Sequence, residues 1–153
     1  MDQLDRKILS LFQHDTRRIA ESIGAEVGLS AAAVQRRLKR LRKEGAIRAE
    51  VAQLDNNAMG VPITCIVTLS MAAAPAQLER FKRQMRAVPE VQQLYHVTGS
   101  KDFIAVVTAE SMEDYGAFAR KWFETSQYVA RYETHVVLDR VKVSLALPVP
   151  LGR

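Results

Sequence analysis

Apolar positions recur at helical spacing through the first third of the chain and with strand-like character through much of the rest. In LDRKILSLFQHD, Leu4, Ile8, Leu11 and Phe12 fall on one helical face, with Asp5 placed to cap it. Ile23 and Val27 share a face of a second short helix, Ala20 to Val27, which Gly28 breaks. A third helix begins after Ser30, whose hydroxyl can accept a bond from a free N–H of the first turn. It stops before Gly45, which suits a left-handed C-terminal cap. Residues 4–45 therefore read as three helices with short connections. Residues 50–61, EVAQLDNNAMGV, read as a short strand and then a polar linker, in which Asp55, Asn56, Asn57 and Gly60 are turn formers.

After Pro62 the pattern changes. ITCIVTLSM is rich in β-branched residues and predicts a strand, and PAQLERFKRQMRAV predicts a helix with Leu78, Phe81, Met85 and Val88 on one side. VQQLYHVTG and FIAVVTA are two further strands, MEDYGAFARKWFET is an amphipathic helix, and RYETHVVLDRVKVSLAL closes with one long or two short strands. The order β-α-β-β-α-β is that of the ferredoxin-like plait. The fold class is α+β, divided into a helical domain at 1–49, a linker at 50–61, a plait at 62–148 and a tail at 149–153.

The third helix divides sharply. With 100° per residue, Val34, Leu38 and Leu41 form one stripe, while Arg36, Lys39, Arg40 and Lys43 gather with Ala32 near the opposite face. Arg37 and Arg42 flank the stripe, their stems covering its edge and their charges in water. Gly24 lets the second helix approach the third, and Gly28 supplies the turn. That is the pattern of a helix-turn-helix. Cations crowded on one face repel one another, and phosphates relieve the repulsion.

Composition sharpens this. Of a net charge of +5, residues 1–50 carry +4, with 11 Lys/Arg against 7 Asp/Glu, and seven of those cations lie between Arg36 and Arg48. Localised positive charge points to a polyanion partner. A chain with 48% hydrophobic and 25% charged residues is globular. No apolar run approaches the ~18 residues of a membrane span, and MDQLDRKIL is not a secretory pattern. The one cysteine, Cys65, lies between apolar neighbours, reads as a buried strand thiol and fits a reducing cytoplasm. His14, His96 and His135 lack metal-ligand spacing, although the last two are candidates for neighbouring strands. No catalytic triad, P-loop or dinucleotide fingerprint is present, so neither a catalytic residue nor a cofactor is expected. Tyr95, Phe103, Tyr115, Phe118, Trp122 and Phe123 read as packing residues.

LDRKIL, QHDTRR, VGLSAAAVQRRLKRLRKEGAI, LDNNAMG and HVTGSKDF, in this order and spacing, resemble the leucine-responsive/AsnC (Lrp/AsnC) family of transcription regulators from about Leu4 to Leu147. The resemblance implies a DNA-binding helix-turn-helix domain and an effector-sensing domain. It also implies dimers that assemble into tetramers or octamers, and small effectors, often amino acids, bound between domains. The recognition helix falls on Ser30 to Glu44. The effector loop, Gly-x-x-Asp-aromatic, is matched by Gly99, Asp102 and Phe103, with Thr134 on the last strand. In that pocket Asp102 can hold an ammonium, N–H groups near Gly99 a carboxylate, and Thr134 a further polar group. Three positions depart from the family pattern. Ala31 follows the capping serine, Ile19-Ala20 opens the second helix without a hydroxyl cap, and Lys101 stands in the effector loop, either in solvent or favouring an effector with an extra carboxylate.

The wheel and the groove geometry together assign Ser30, Ala32, Gln35, Arg36, Lys39 and Arg40 to the DNA-facing set, with Lys43 beside them. Gln35 and Arg36 suit bidentate contact with adenine and guanine, whereas Lys39, Arg40 and Lys43 suit phosphates. The rival reading is an enzyme, since sirohaem decarboxylases resemble the same two-domain family. VTGSKDF is the amino-acid-sensor form of the loop, and the charge is concentrated in the helical domain instead. A third reading is an effector-binding module that has lost DNA binding, against which the intact basic helix argues.

Overall fold

In the computed structural model, which describes residues 1–151, the chain forms two compact units. The first is Met1–Ala52 together with the chain from Lys142, and the second is Gln53–Val141.

The first unit is built on α1 (Gln3–Phe12), α2 (Ala20–Val27) and α3 (Ala31–Lys43). Ile8, Phe12, Ile23, Val34 and Leu38 form its buried core, and Leu41 is also fully buried. The apolar spacing of each helix thus became its inward face. Ser30 caps α3 as expected, its Oγ accepting from the Ala33 N–H at 3.3 Å. Gly28 and Gly45 both take positive φ, 74° and 76°, a region costly for residues with a Cβ. Ile19 precedes α2 without any side-chain cap bond. One expectation fails: Asp5 does not cap α1. Asp2 does, and Asp5 is the third helical residue, its carboxylate accepting in return from the Asp2 N–H at 2.9 Å.

Gly24 is where α2 passes the chain entering α3. A Cβ there would overlap the Leu29 carbonyl oxygen, which is backbone and cannot swing away. The Leu29 N–H in turn donates to the Gly24 carbonyl at 2.9 Å.

The second unit is a four-stranded antiparallel sheet in the order β2-β3-β1-β4, made by β1 (Ile63–Met71), β2 (Val91–His96), β3 (Phe103–Ala109) and β4 (Val129–Val136). Helices α4 (Pro75–Arg86) and α5 (Met112–Ala119) follow β1 and β3, and α5 runs into a wide π-type turn, Arg120–Glu124. This is the expected β-α-β-β-α-β order. Val67 lies opposite Ala105 on one side and Thr134 on the other. Cys65, Val67 and Leu69 of β1 are fully buried in one cluster with Phe103 of β3 and Phe81 of α4. The alternate residues of the same strands face the other way, and no helix among the described residues covers them. That open face carries Ile66 at 40% exposure and Tyr95 at 50%.

Two predicted strands do not form. Residues 51–55 have no ladder, and β4 ends at Val136. The alternation in VKVSLAL is real, but a strand needs a partner edge. Beyond Lys142 the chain runs along α1 instead. There the Gln13 side-chain amide exchanges two 2.9 Å bonds with the Leu147 backbone, and Gln3 donates to the Leu151 carbonyl at 2.8 Å. His96 and His135 sit on the two opposite edge strands, so they are not neighbours.

Alanine is normally favoured over glycine inside a helix by about 1 kcal/mol. For Gly24→Ala the expectation is reversed. The substitution should destabilise the first unit by about 1–3 kcal/mol, the usual cost of overpacking, read from urea unfolding followed by circular dichroism. A stabilised variant would show that the close approach is absent.

Candidate nucleic-acid interface and effector loop

The cationic face of α3 rests on one interaction with α1. Asp5 is fully buried, and its carboxylate accepts from Arg37 Nη1 at 2.6 Å and from Arg40 Nη2 at 2.5 Å. Arg37 Nη1 also donates to Asp2 Oδ2 at 2.7 Å. Two carboxylates at spacing i, i+3, on the cap and first turn of α1, thus meet two guanidiniums at spacing i, i+3 on α3. Burying a carboxylate is costly unless it is paired and hydrogen-bonded, and Asp5 accepts from two guanidiniums and one backbone N–H.

The charges of α3 therefore sort into held and free. Arg37 is held, not simply wet as its flanking position suggested. Arg42 is also held, with its guanidinium 5.5 Å from the Phe12 ring centroid and 2.6 Å from Glu50. Arg40, expected among the phosphate contacts, gives Nη2 to Asp5 and has its Nε 3.7 Å from Glu44 Oε1, while its side chain stays 45% exposed. Arg36, Lys39 and Lys43 are exposed and make no ion pair among the described residues. Gln35 and Ala32 are exposed beside them, and Ser30 has its hydroxyl on the helix cap.

The effector loop joins β2 to β3. Gly99 takes φ 115°, open to glycine and strained for other residues. Asp102 is bonded three times. Its N–H donates to the Leu69 carbonyl at 2.8 Å, its carbonyl accepts from the Val97 N–H at 2.9 Å, and its Oδ2 accepts from the Met71 N–H at 2.7 Å. The loop is thereby clamped to the end of β1, with Oδ1 left for another donor. The Lys101 Nζ donates to Glu133 Oε1 at 2.9 Å, so the side chain is engaged and not simply in solvent. Thr134 lies on the helix-covered face, where its hydroxyl bonds the Tyr115 phenol. Within one chain the structure thus groups Gly99, Lys101 and Asp102 with Glu133, and it sets Thr134 on the other side of the sheet.

The pattern of the chain did not reveal Asp2, Glu133 and Tyr115 as partners, and it gave Asp5 the wrong role. The i, i+3 match between acidic α1 and basic α3 was the available signal for the first pairing. For Glu133 and Tyr115 the sheet register had to be known.

The arrangement is shared with known proteins. Residues 1–42 match the AsnC-type helix-turn-helix domain, and residues 64–147 match the Lrp/AsnC ligand binding domain. An uncharacterized HTH-type transcriptional regulator of Sinorhizobium fredii, y4tD, is 41% identical over 99% of this chain and 90% of its own length. An AsnC family transcriptional regulator from Agrobacterium tumefaciens superposes with a TM-score of 0.89 at 28% identity, covering 97% of each chain. A transcriptional regulator of Neisseria meningitidis, solved in complex with L-Met, superposes with a TM-score of 0.90 at 26% identity over 97% of this chain and 96% of its own.

Acid should loosen the α1–α3 junction. Hydrogen bonding to Arg37 and to the Asp5 N–H holds the Asp2 carboxyl down at about 2. Burial alone would raise the Asp5 carboxyl, but the Asp2 N–H and the two guanidiniums outweigh it and leave it below the ordinary value. Depressed carboxyls contribute stability that is fully present above the unfolded value of about 4 and is lost as pH falls through the folded values. The first unit should therefore weaken as pH drops from about 4 toward 2, and Asp5→Asn should flatten that dependence. At neutral pH, Asp5→Ala should cost about 2 kcal/mol, less than the full penalty for a broken buried pair because Arg37 and Arg40 can reach water. Thermal unfolding across a pH series checks both, and an Asp5→Asn profile parallel to wild type would contradict the assignment.

Proposed function

The chain belongs to the Lrp/AsnC family of transcriptional regulators, and from that premise we propose how it recognises DNA and what controls it. The observation that carries the proposal is the division of charge on α3: Asp5 takes the inner arginines, while Arg36, Lys39 and Lys43 have no ion-pair partner among the described residues and lie on the exposed face with Gln35. The N-terminal residues of a recognition helix approach base edges in the major groove. Gln35 and Arg36 read adenine and guanine there, Ala32 contacts a thymine methyl, and Ser30 sets the helix start. Lys39 and Lys43 hold phosphates, joined by the Nη1 of Arg40, the nitrogen that neither Asp5 nor Glu44 takes. With so few base readers, much of the specificity comes from DNA shape.

One small helix-turn-helix binds weakly, so two copies act together, reading half-sites about one helical turn apart. The open sheet face supports this pairing. Ile66, Ile104, Val106 and Tyr95 lie on it, and so does Thr68, whose buried hydroxyl has no partner among the described residues. The dimer assembles further into a tetramer or octamer. An amino acid is the effector, as the L-Met complex of the Neisseria protein suggests. Its ammonium meets Asp102 Oδ1 and its carboxylate meets N–H groups near Gly99, with Lys101 at the margin of the site; Thr134, expected there, faces the helices and bonds the Tyr115 phenol. It acts through differential affinity for two assembly states. The named relatives are regulators, which favours this reading over a sirohaem decarboxylase.

Arg36→Ala should weaken binding to the preferred duplex by about 1–3 kcal/mol and relax base preference at one position. Gel shifts on the preferred and a random duplex check it, and unchanged affinity for both would contradict the assignment. Light scattering at micromolar concentration should give a dimer or a multiple of it, and a monomer would contradict the pairing.

A further inference from the structure

The second unit carries a cationic face of its own. On α4, Arg80, Arg83 and Arg86 are exposed at spacing i, i+3, i+6. The buried side of the helix is set by Phe81 and Met85. At 100° per residue, Arg83 projects opposite those two, with Arg80 and Arg86 about 60° to either side. None of the three makes an ion pair or a side-chain hydrogen bond among the described residues. Glu79, the one acid on the helix, pairs with Lys82 at 2.7 Å.

General surface composition does not explain this row. Residues 75–86 hold four basic residues and one acidic, whereas the rest of the second unit holds five basic and nine acidic. Positive charge is thus gathered on one helix face of an otherwise acidic unit. The cations elsewhere in the unit are mostly engaged: Lys101 and Arg131 with Glu133, Arg140 with Asn56 and Thr64, and Lys121 over the Trp122 ring. Three like charges left unpaired on one helix are mutually repulsive and call for an anion from outside.

We propose that the Arg80/Arg83/Arg86 face of α4 is a second DNA-contacting surface that binds phosphates of duplex outside the half-sites read by α3. The inference rests on the DNA-binding reading above. A rise of 1.5 Å per residue spreads the row over about 9 Å. With one charge per about 3.4 Å along each strand, that length meets roughly three phosphates. Guanidiniums suit them, offering paired N–H donors to phosphate oxygens. The contact carries no base information, so it adds affinity and salt dependence without adding specificity. Because the second unit is tethered to a bound helix-turn-helix, its contact forms at high effective concentration.

The test compares the intact protein on a duplex of about two helical turns, enough for a pair of half-sites, with one of about six turns containing the same core. Affinity is measured against salt concentration. On the long duplex, the triple variant Arg80→Gln/Arg83→Gln/Arg86→Gln should lower the slope of log K against log salt by about 2–3, since each phosphate neutralised by the protein adds about 0.9 to it. On the short duplex it should match wild type. Arg83→Gln alone should lower the long-duplex slope by about 1, and the corresponding triple lysine variant should restore it. Equal slopes for wild type and triple variant on the long duplex would overturn the inference and leave the face to another partner, such as an acidic protein. An equal drop in slope on both duplexes would also overturn it, showing a general field effect. If wild type binds neither duplex, the regulator reading itself fails.

Discussion

A carboxylate sealed from solvent, that of Asp5, accepts from two arginines of α3, and the orientation of the cationic helix depends on it. The apolar stripe of Val34, Leu38 and Leu41 decides which side of α3 is buried, but apolar packing is non-directional. The ion pair is directional. It fixes the rotation of α3 against α1 from one side, while the backbone contact between Gly24 and Leu29 fixes the approach of α2 from the other. Between them they leave Gln35, Arg36, Lys39 and Lys43 facing outward as a set. Asp5 also removes part of the charge of Arg37 and Arg40 from the surface, so the exposed face is less repulsive than a count of arginines implies.

The second unit is organised by an imbalance between the two faces of its sheet. Helices cover Val67, Phe103 and their neighbours, and the opposite face keeps apolar and aromatic residues in the open. The effector loop lies at one end of this sheet, clamped through Asp102 to the last residues of β1, with Lys101 neutralised by Glu133.

Much of this was legible in the chain, and the parts that were not share a cause. Periodicity located the helices because each buries a face of its own sequence. Ser30, Gly28 and Gly45 were readable because caps and positive φ are local demands. The β-α-β-β-α-β order followed from local alternation and length. Asp5 was misread because its partners lie on another helix and a helical wheel shows one helix at a time. EVAQL and VKVSLAL were misread as strands because alternation describes a side-chain pattern, whereas a strand exists only where another backbone pairs with it. The two histidines were misplaced because strand order is a property of the whole sheet. In the candidate site, the exposed face of α3 was legible from the wheel, but the engagement of Lys101 and Thr134 depends on register.

The central claim is that the outward face of α3 reads a DNA sequence sparingly while gripping the backbone firmly. Fluorescence anisotropy tests it most directly, with the intact protein titrated into duplex from immediately upstream of its own coding region and into a shuffled duplex of equal length and composition. The account predicts measurable binding to both, tighter to the upstream duplex by a modest margin, and steep weakening of both as salt rises. Absence of binding, or binding insensitive to salt, would contradict it.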